Sequence, residues 1–243
     1  LVKKIVKKHS IDIIISDNRF GLFHSNLHTI YITHQLSFQT GNAFFNFIAS
    51  KIHRWFIKRY TSCWVPDFEE QPVAGLLSHP PKPAGNIKYI GCLSRFEKME
   101  EVEKKYDLLV LISGPEPQRT VFEEMIIKQL HDYSGCVVIV RGLPATKESI
   151  KNKQRDKQNI IFKNHVNALE LSDLIQQSGL VVCRSGYTSV MDLVKIKQSA
   201  ILIPTPGQPE QEYLADYLTS QKIFYSIKQK DFVLEEAVKN ARE

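Results

Sequence analysis

The chain has 243 residues, 43% of them hydrophobic and 24% charged, an ordinary balance for a globular protein. A formal net charge of +6 favours an anionic partner but is too small to single out nucleic acid. No apolar run approaches the roughly 18 residues of a membrane span, and the first residues do not read as a secretory signal.

Leu1 to His9 reads as an amphipathic helix. Ile11 to Ser16 is an expected strand, ended by Asp17-Asn18-Arg19-Phe20-Gly21, and Thr29 to Thr33 another, ended by His34-Gln35. Gly41 to Tyr60 reads as a long helix. Ser62 to Val65 and Ile87 to Ile90 are short strands, with a loop rich in Pro and Gly at Gln71 to Asn86 between them. Alternating strands and helices describe a parallel sheet. This half offers too few strands for a complete doubly wound domain. The chain also lacks an initiating Met, so an N-terminal piece is expected to be missing.

Leu93 to Tyr106 is charged and without strand pattern. It is the expected linker between a domain at 1–92 and one at 107–243. Beyond it, strands are expected at Leu108–Ser113, Val137–Arg141, Ile160–Phe162, Leu180–Cys183, Ala200–Pro204 and Phe224–Ser226. Helices fall between them at Arg119–Asp132, Asn167–Gln177, Thr188–Ile196 and Glu210–Ser220, and a last one follows Asp231. Runs such as Leu-Leu-Val-Leu-Ile, apolar on both faces, belong to central parallel strands.

Two turns carry chemistry. Ser185-Gly186 joins an apolar strand to a helix, and unpaired N–H groups at a helix start favour an anion. Asp192, about two turns in, could accept hydrogen bonds from a diol, so the pair describes a nucleotide site. A plain βα unit uses the same Ser-Gly turn. Ser113-Gly114 ends the first strand of the second domain, where such sheets bind phosphate. Gln211 and Glu212 would stand on a helix's first turn near the same crevice, as sugar ligands or as caps. Arg95, at the domain junction, could clamp a diphosphate. His34, at the carboxyl end of a strand, could act as general base. In Phe44 to Tyr60, the side chains Phe44, Phe45, Ile48, Ile52, Trp55 and Phe56 form an apolar arc. Lys51, Arg54 and Lys58 are assigned to the other side. That suits a helix on an anionic bilayer, and also a core helix with a solvated face, which is the expectation here. Cys63, Cys92, Cys136 and Cys183 are scattered, as buried thiols in a reducing cytosol are.

Cys183-Arg184-Ser185-Gly186, a carboxylate six residues after that Gly, and a Pro followed seven residues later by Gln211 together resemble the glycosyltransferase family 28 C-terminal domain. The likeness is best over Leu169 to Ile223. It implies a GT-B fold, two Rossmann-like doubly wound domains of α/β class, the N-terminal one incomplete here. It implies a hexosyltransferase-type enzyme moving a sugar with inversion from a UDP-sugar, UDP-N-acetylglucosamine being one candidate. The acceptor is unknown, with a lipid-linked or cell-envelope molecule as the expectation. A nucleotide-sugar hydrolase or epimerase and a non-catalytic donor-binding subunit are the alternatives. The implied donor ligands are Arg95, Ser113, Gly114, Arg184, Ser185, Gly186, Asp192, Gln211 and Glu212, with the base near the Val166 backbone. No cofactor, metal or nucleic acid is expected. The implied location is cytoplasmic, peripheral on the inner face of a membrane through Phe44 to Tyr60. The sequence departs from the family pattern at Asp192 (usually Glu), Glu212 (usually Gln), Ala215 (usually Asn), Pro115-Glu116-Pro117 (usually small residues) and His34-Gln35, which lacks a carboxylate between its two members.

Overall fold

The structure, a computed structural model, describes residues 1–39, 42–131, 133–143 and 159–242. Gly41 and Asp132, expected as helix ends, lie outside the described residues. The chain divides into two compact units, Leu1–Leu93 and Ser94–Glu243.

The first unit runs α1 (Val2–His9), β1 (Ile13–Asp17), β2 (His28–Ile32), α2 (Ala43–Ile57), β3 (Ser62–Val65) and β4 (Ile87–Tyr89). Its strands form one parallel sheet in the order β1-β2-β3-β4. Tyr31, Leu36, Ile57, Tyr60, Cys63, Val65 and Ala84 make its core. The Gln71 to Asn86 loop is pinned by Asp67, which is fully buried. That carboxylate accepts from Val73 N–H at 2.8 Å, Ala74 N–H at 2.9 Å and the Ser78 hydroxyl at 2.6 Å. A buried carboxyl group held by several donors suits a structural role.

The face that α2 buries differs from the expected one. Phe44, Phe45, Ile48, Ile52 and Trp55 are exposed, and Phe47 with them. His53 and Ile57 are buried instead, and Phe56 is half-buried. The arc read as core therefore points outward. At about 100° per residue, Lys51 and Lys58 belong beside that arc rather than opposite it, and both are exposed.

The second unit runs β5 (Tyr106–Leu111), α3 (Gln118–Gln129), β6 (Val137–Val140), β7 (Ile160–Lys163), α4 (Ala168–Gln176), β8 (Ser178–Cys183), α5 (Tyr187–Ile196), β9 (Ala200–Leu202), α6 (Pro209–Ser220), β10 (Tyr225–Ser226) and α7 (Leu234–Asn240). All six strands are parallel, in the order β10-β9-β8-β5-β6-β7. Read from the other edge this is the doubly wound order, with the reversal between β5 and β8. Leu108, Val110, Val137, Ile139, Leu180, Val182 and Ile201 fill the core from the sheet, and Phe122, Ile126 and Leu234 cover it from helices. Gly142, after β6, has φ 67°, and a Cβ there would stand 2.6 Å from the Ile112 carbonyl oxygen, so only glycine fits.

The stretch expected as a linker carries no helix or strand before Tyr106, but from Ser94 on it is part of the second unit. Met99 N–H donates to Gln176 Oε1 at 2.7 Å, and Lys104 Nζ to the Gln176 and Ser178 carbonyls at 2.7 and 2.9 Å. These bonds fasten a patternless segment that hydropathy alone leaves loose.

Candidate active site

In a doubly wound sheet, ligands bind outside the carboxyl ends of the strands where the order reverses. Here those strands are β5 and β8. Ser113 and Gly114 follow β5 and are exposed, with Gly114 at φ 107°. Arg184, Ser185 and Gly186 follow β8, and Gly186 is the N-cap of α5. The two turns expected to hold phosphate thus stand at the ends of neighbouring strands.

Their helix starts differ. α5 opens without a side-chain cap, and its positive dipole end favours an anion. At α3, Thr120 N–H donates to Glu116 Oε2 at 3.2 Å and Arg119 Nε to Glu116 Oε1 at 2.5 Å. Burial opposes the Arg119 charge, but hydrogen bonds to Glu116 and Glu123 outweigh it and raise the Arg119 pKa. Glu123 also accepts from Arg141 Nε, and Arg141 Nη1 donates to Asn164 Oδ1 at 3.1 Å. This ladder braces the loops after β5, β6 and β7. Sequence reading missed it, because its partners lie on three separate strands' ends.

Asp192 is 5% exposed, on the second turn of α5. Its Oδ1 accepts from Ser94 Oγ at 2.6 Å, and Arg95 Nε stands 3.9 Å from its Oδ2. Burial raises its pKa, against the lowering effect of Ser94 and Arg95. The structure therefore brings Asp192 and Arg95 together. Ser94 could not be paired with Asp192 by spacing, since 98 residues separate them. The Arg95 side chain is 57% exposed, available to a ligand.

Gln211 and Ser185 join two loops: Ser185 Oγ donates to the Gln211 carbonyl at 2.8 Å. The Gln211 side chain accepts from Thr205 N–H at 2.9 Å and donates to Gln208 Oε1 at 2.6 Å, and Glu212 Oε1 accepts from Gly207 N–H at 3.0 Å. These bonds shape the Pro204 to Gln211 turn. Beside it lies a cavity of about 320 Å³, whose lining includes Pro206, Glu212, Asp216, Lys228 and Lys230. Sequence reading did not single out those lysines, which follow a strand of only two residues.

Arg184 was expected to touch the donor, but it is 2% exposed. Its Nη1 donates to the Ile203 and Pro204 carbonyls at 3.2 and 3.3 Å, and its Nη2 to the Gln118 carbonyl at 3.2 Å. Val166, 8% exposed, closes the turn from β7 into α4. In the first unit, His34 is half-buried just beyond the carboxyl end of β2. Nearby, Asn18 Oδ1 accepts from the Tyr31 hydroxyl at 3.0 Å and from Thr33 Oγ1 at 3.2 Å, tying the end of β1 to that of β2.

Residues 120–243 match the glycosyltransferase family 28 C-terminal domain. The chain belongs to that family. No curated protein sequence matches the family 28 chain. Among solved structures it is similar to the glycotransferase of kitacinnamycin, at TM-score 0.68 and 12% identity, covering 100% of this chain and 70% of that one. It is similar to MurG of Acinetobacter baumannii at TM-score 0.59 and 10% identity, covering 98% and 67%. It is also similar to the UDP-GlcNAc 2-epimerase of Methanocaldococcus jannaschii at TM-score 0.57 and 12% identity, covering 99% and 72%. At such identities these likenesses establish the GT-B fold alone. No helix among the described residues is long and apolar enough to cross a membrane.

Proposed function

We propose that the family 28 chain binds a UDP-sugar in its second unit and transfers the sugar, with inversion, to an acceptor hydroxyl. The observation that carries this reading is the juxtaposition at the reversal of the sheet. Two Ser-Gly turns end neighbouring strands, and α5 starts uncapped beside them. Asp192 lies two turns along that helix, next to exposed Arg95. In this reading the α5 amides and Arg95 take the diphosphate, Asp192 takes the ribose, and the Val166 turn meets the base. The Gln211-Glu212 segment and the cavity beside it take the hexose. His34 serves as general base on the acceptor, and the departing UDP is stabilised by fixed donors, with no metal needed. The exposed aromatic and cationic face of α2 supports a peripheral contact with an anionic membrane on the cytoplasmic side.

Calorimetry tests the core of the reading: UDP should bind tightest, UMP less tightly and uridine least. Equal affinities would remove the phosphate assignment. The likeness to the 2-epimerase favours one second reading, in which the same cradle rearranges the bound sugar. Incubation with UDP-N-acetylglucosamine and no acceptor separates the two. A transferase leaves the donor intact, an epimerase yields the epimer, and a hydrolase yields free sugar.

A further inference from the structure

Arg184 is a buried cation that the described residues do not balance. Buried charges are ordinarily paired. The other two arginines braced in this unit obey that rule, since Arg119 and Arg141 share Glu123. Arg184 has no carboxylate partner among the described residues. Three backbone carbonyls hold it, Phe122 stacks with its ring centre 4.1 Å from the guanidinium carbon, and Nε is buried without a hydrogen-bond partner. Among the described residues, the titratable group that acts on it is Cys183, a thiol that burial pushes up to about 12 and so is neutral. Burial lowers the Arg184 pKa only to about 10, so the charge persists at neutral pH.

Its place is as informative as its isolation. Arg184 immediately precedes Ser185-Gly186 and the uncapped start of α5. Its hydrogen bonds reach Gln118, at the start of α3, and Ile203-Pro204, at the end of β9. One cation thus lies beneath the three loops that surround the reversal of the sheet. Water is excluded from it, so its field is less screened than that of a surface arginine.

We propose that Arg184 is the built-in counter-charge for the phosphates of the bound nucleotide, with the ligand supplying the anion that the fold leaves out. It is a positioning residue, acting from below the loops rather than by contact. This rests on the nucleotide-sugar reading above. It adds that affinity is graded by phosphate charge through a residue that never reaches the surface.

The test compares Arg184→Lys, which keeps the charge, with Arg184→Gln, which removes it and keeps hydrogen-bond donors. Calorimetry on the full chain uses UDP, UMP and uridine. Arg184→Gln should lose roughly tenfold in affinity for each phosphate carried and leave uridine within about twofold. Arg184→Lys should keep most of the native preference for UDP over uridine. If Arg184→Gln weakens all three ligands equally, or none, Arg184 is a structural strut and the proposal fails alone. If Arg184→Gln does not fold, the lysine variant decides. Loss of the UDP preference with the charge retained overturns the proposal, and its retention supports it. A native chain that binds UDP no tighter than uridine overturns the nucleotide reading itself.

Discussion

With one oxygen the Asp192 carboxylate accepts from Ser94 Oγ, and its other oxygen faces the Arg95 guanidinium. Two kinds of effect follow from replacing it by Asn. The amide keeps an acceptor for Ser94, so stability should change by no more than about 1 kcal/mol. If Asp192 meets the ribose as proposed, charge-assisted bonds to its hydroxyls are lost, which should weaken UDP by roughly 1.5–3 kcal/mol, or about one to two decades. A 2′-deoxyribose ligand should lose affinity for the native chain and lose less for Asp192→Asn, because both changes delete one contact. Additive losses would mean that Asp192 does not meet the ribose. The pH dependence has a definite sign. The folded pKa is raised above 3.8, so the stabilisation tied to the protonated form is complete below that value and is lost as pH rises through the raised one. Asp192→Asn, uncharged throughout, should therefore gain thermal stability relative to the native chain as pH rises through that raised pKa.

His53 has the opposite dependence. It is 3% exposed, packs against the rings of Phe20, Tyr31 and Phe38, and pairs its Nε2 with the Tyr31 hydroxyl at 3.3 Å. Burial lowers its pKa to about 4. The neutral ring is thus favoured in the fold, and its stabilisation, complete above about 6.5, is lost as pH falls toward 4. The loss is at most about 3 kcal/mol. His53→Phe should flatten this acid limb of the first unit's stability, followed by tryptophan fluorescence in denaturant at pH 7 and pH 5. An unchanged limb would assign the acid sensitivity to other groups.

Among the elements, β5, β6 and β8 were legible because a buried parallel strand must be apolar on both faces, and few other elements write such runs. The helices of the second unit were legible from their spacing. The face of α2 was not. Its aromatic arc has the period of a core stripe, but periodicity tells which residues share a face, not which face meets the sheet. Here His53 and Ile57 meet it, with Tyr60 just past the helix end, drawn by Tyr31 and Cys63 beneath. Phe44, Phe47 and Trp55 stay outside with exposures of 67%, 66% and 52%, an outlay of apolar surface that needs a reason. If the reason is a membrane, co-sedimentation with vesicles should rise with anionic lipid and fall with salt. Replacing Phe47 and Trp55 by Ser should abolish it. Exposed as they are, these changes should alter stability by only about 0.5 kcal/mol each. Binding that persists in the double variant would acquit the helix.

At the scale of the whole molecule, the sequence placed the two turns and Asp192 on the correct elements, because βα punctuation is local. It could not place Ser94 on Asp192, bury Arg184 or build the Arg119-Glu123-Arg141 ladder. Those contacts depend on which strand ends become neighbours, and strand order is not written in any one segment. The division into two units offers a test of where the donor binds. Both tryptophans, Trp55 and Trp64, lie in the first unit, so tryptophan fluorescence follows that unit while calorimetry follows the whole chain. A ligand that binds only the folded form stabilises it by RT ln(1 + [L]/Kd), about 2.7 kcal/mol at a hundredfold excess over Kd. For a transition of the second unit, with 150 residues spanned by Ser94–Glu243, this should appear as a rise of several degrees. Saturating UDP should thus raise the calorimetric midpoint of the second unit and leave the tryptophan-reported midpoint where it was. Uridine at the same multiple of its own Kd should reproduce the rise, and inorganic phosphate alone should produce little. A shift seen by the tryptophans without one in the second unit would place the nucleotide beside β1 to β4. The cradle between β5 and β8 would then be a brace of the fold rather than a site.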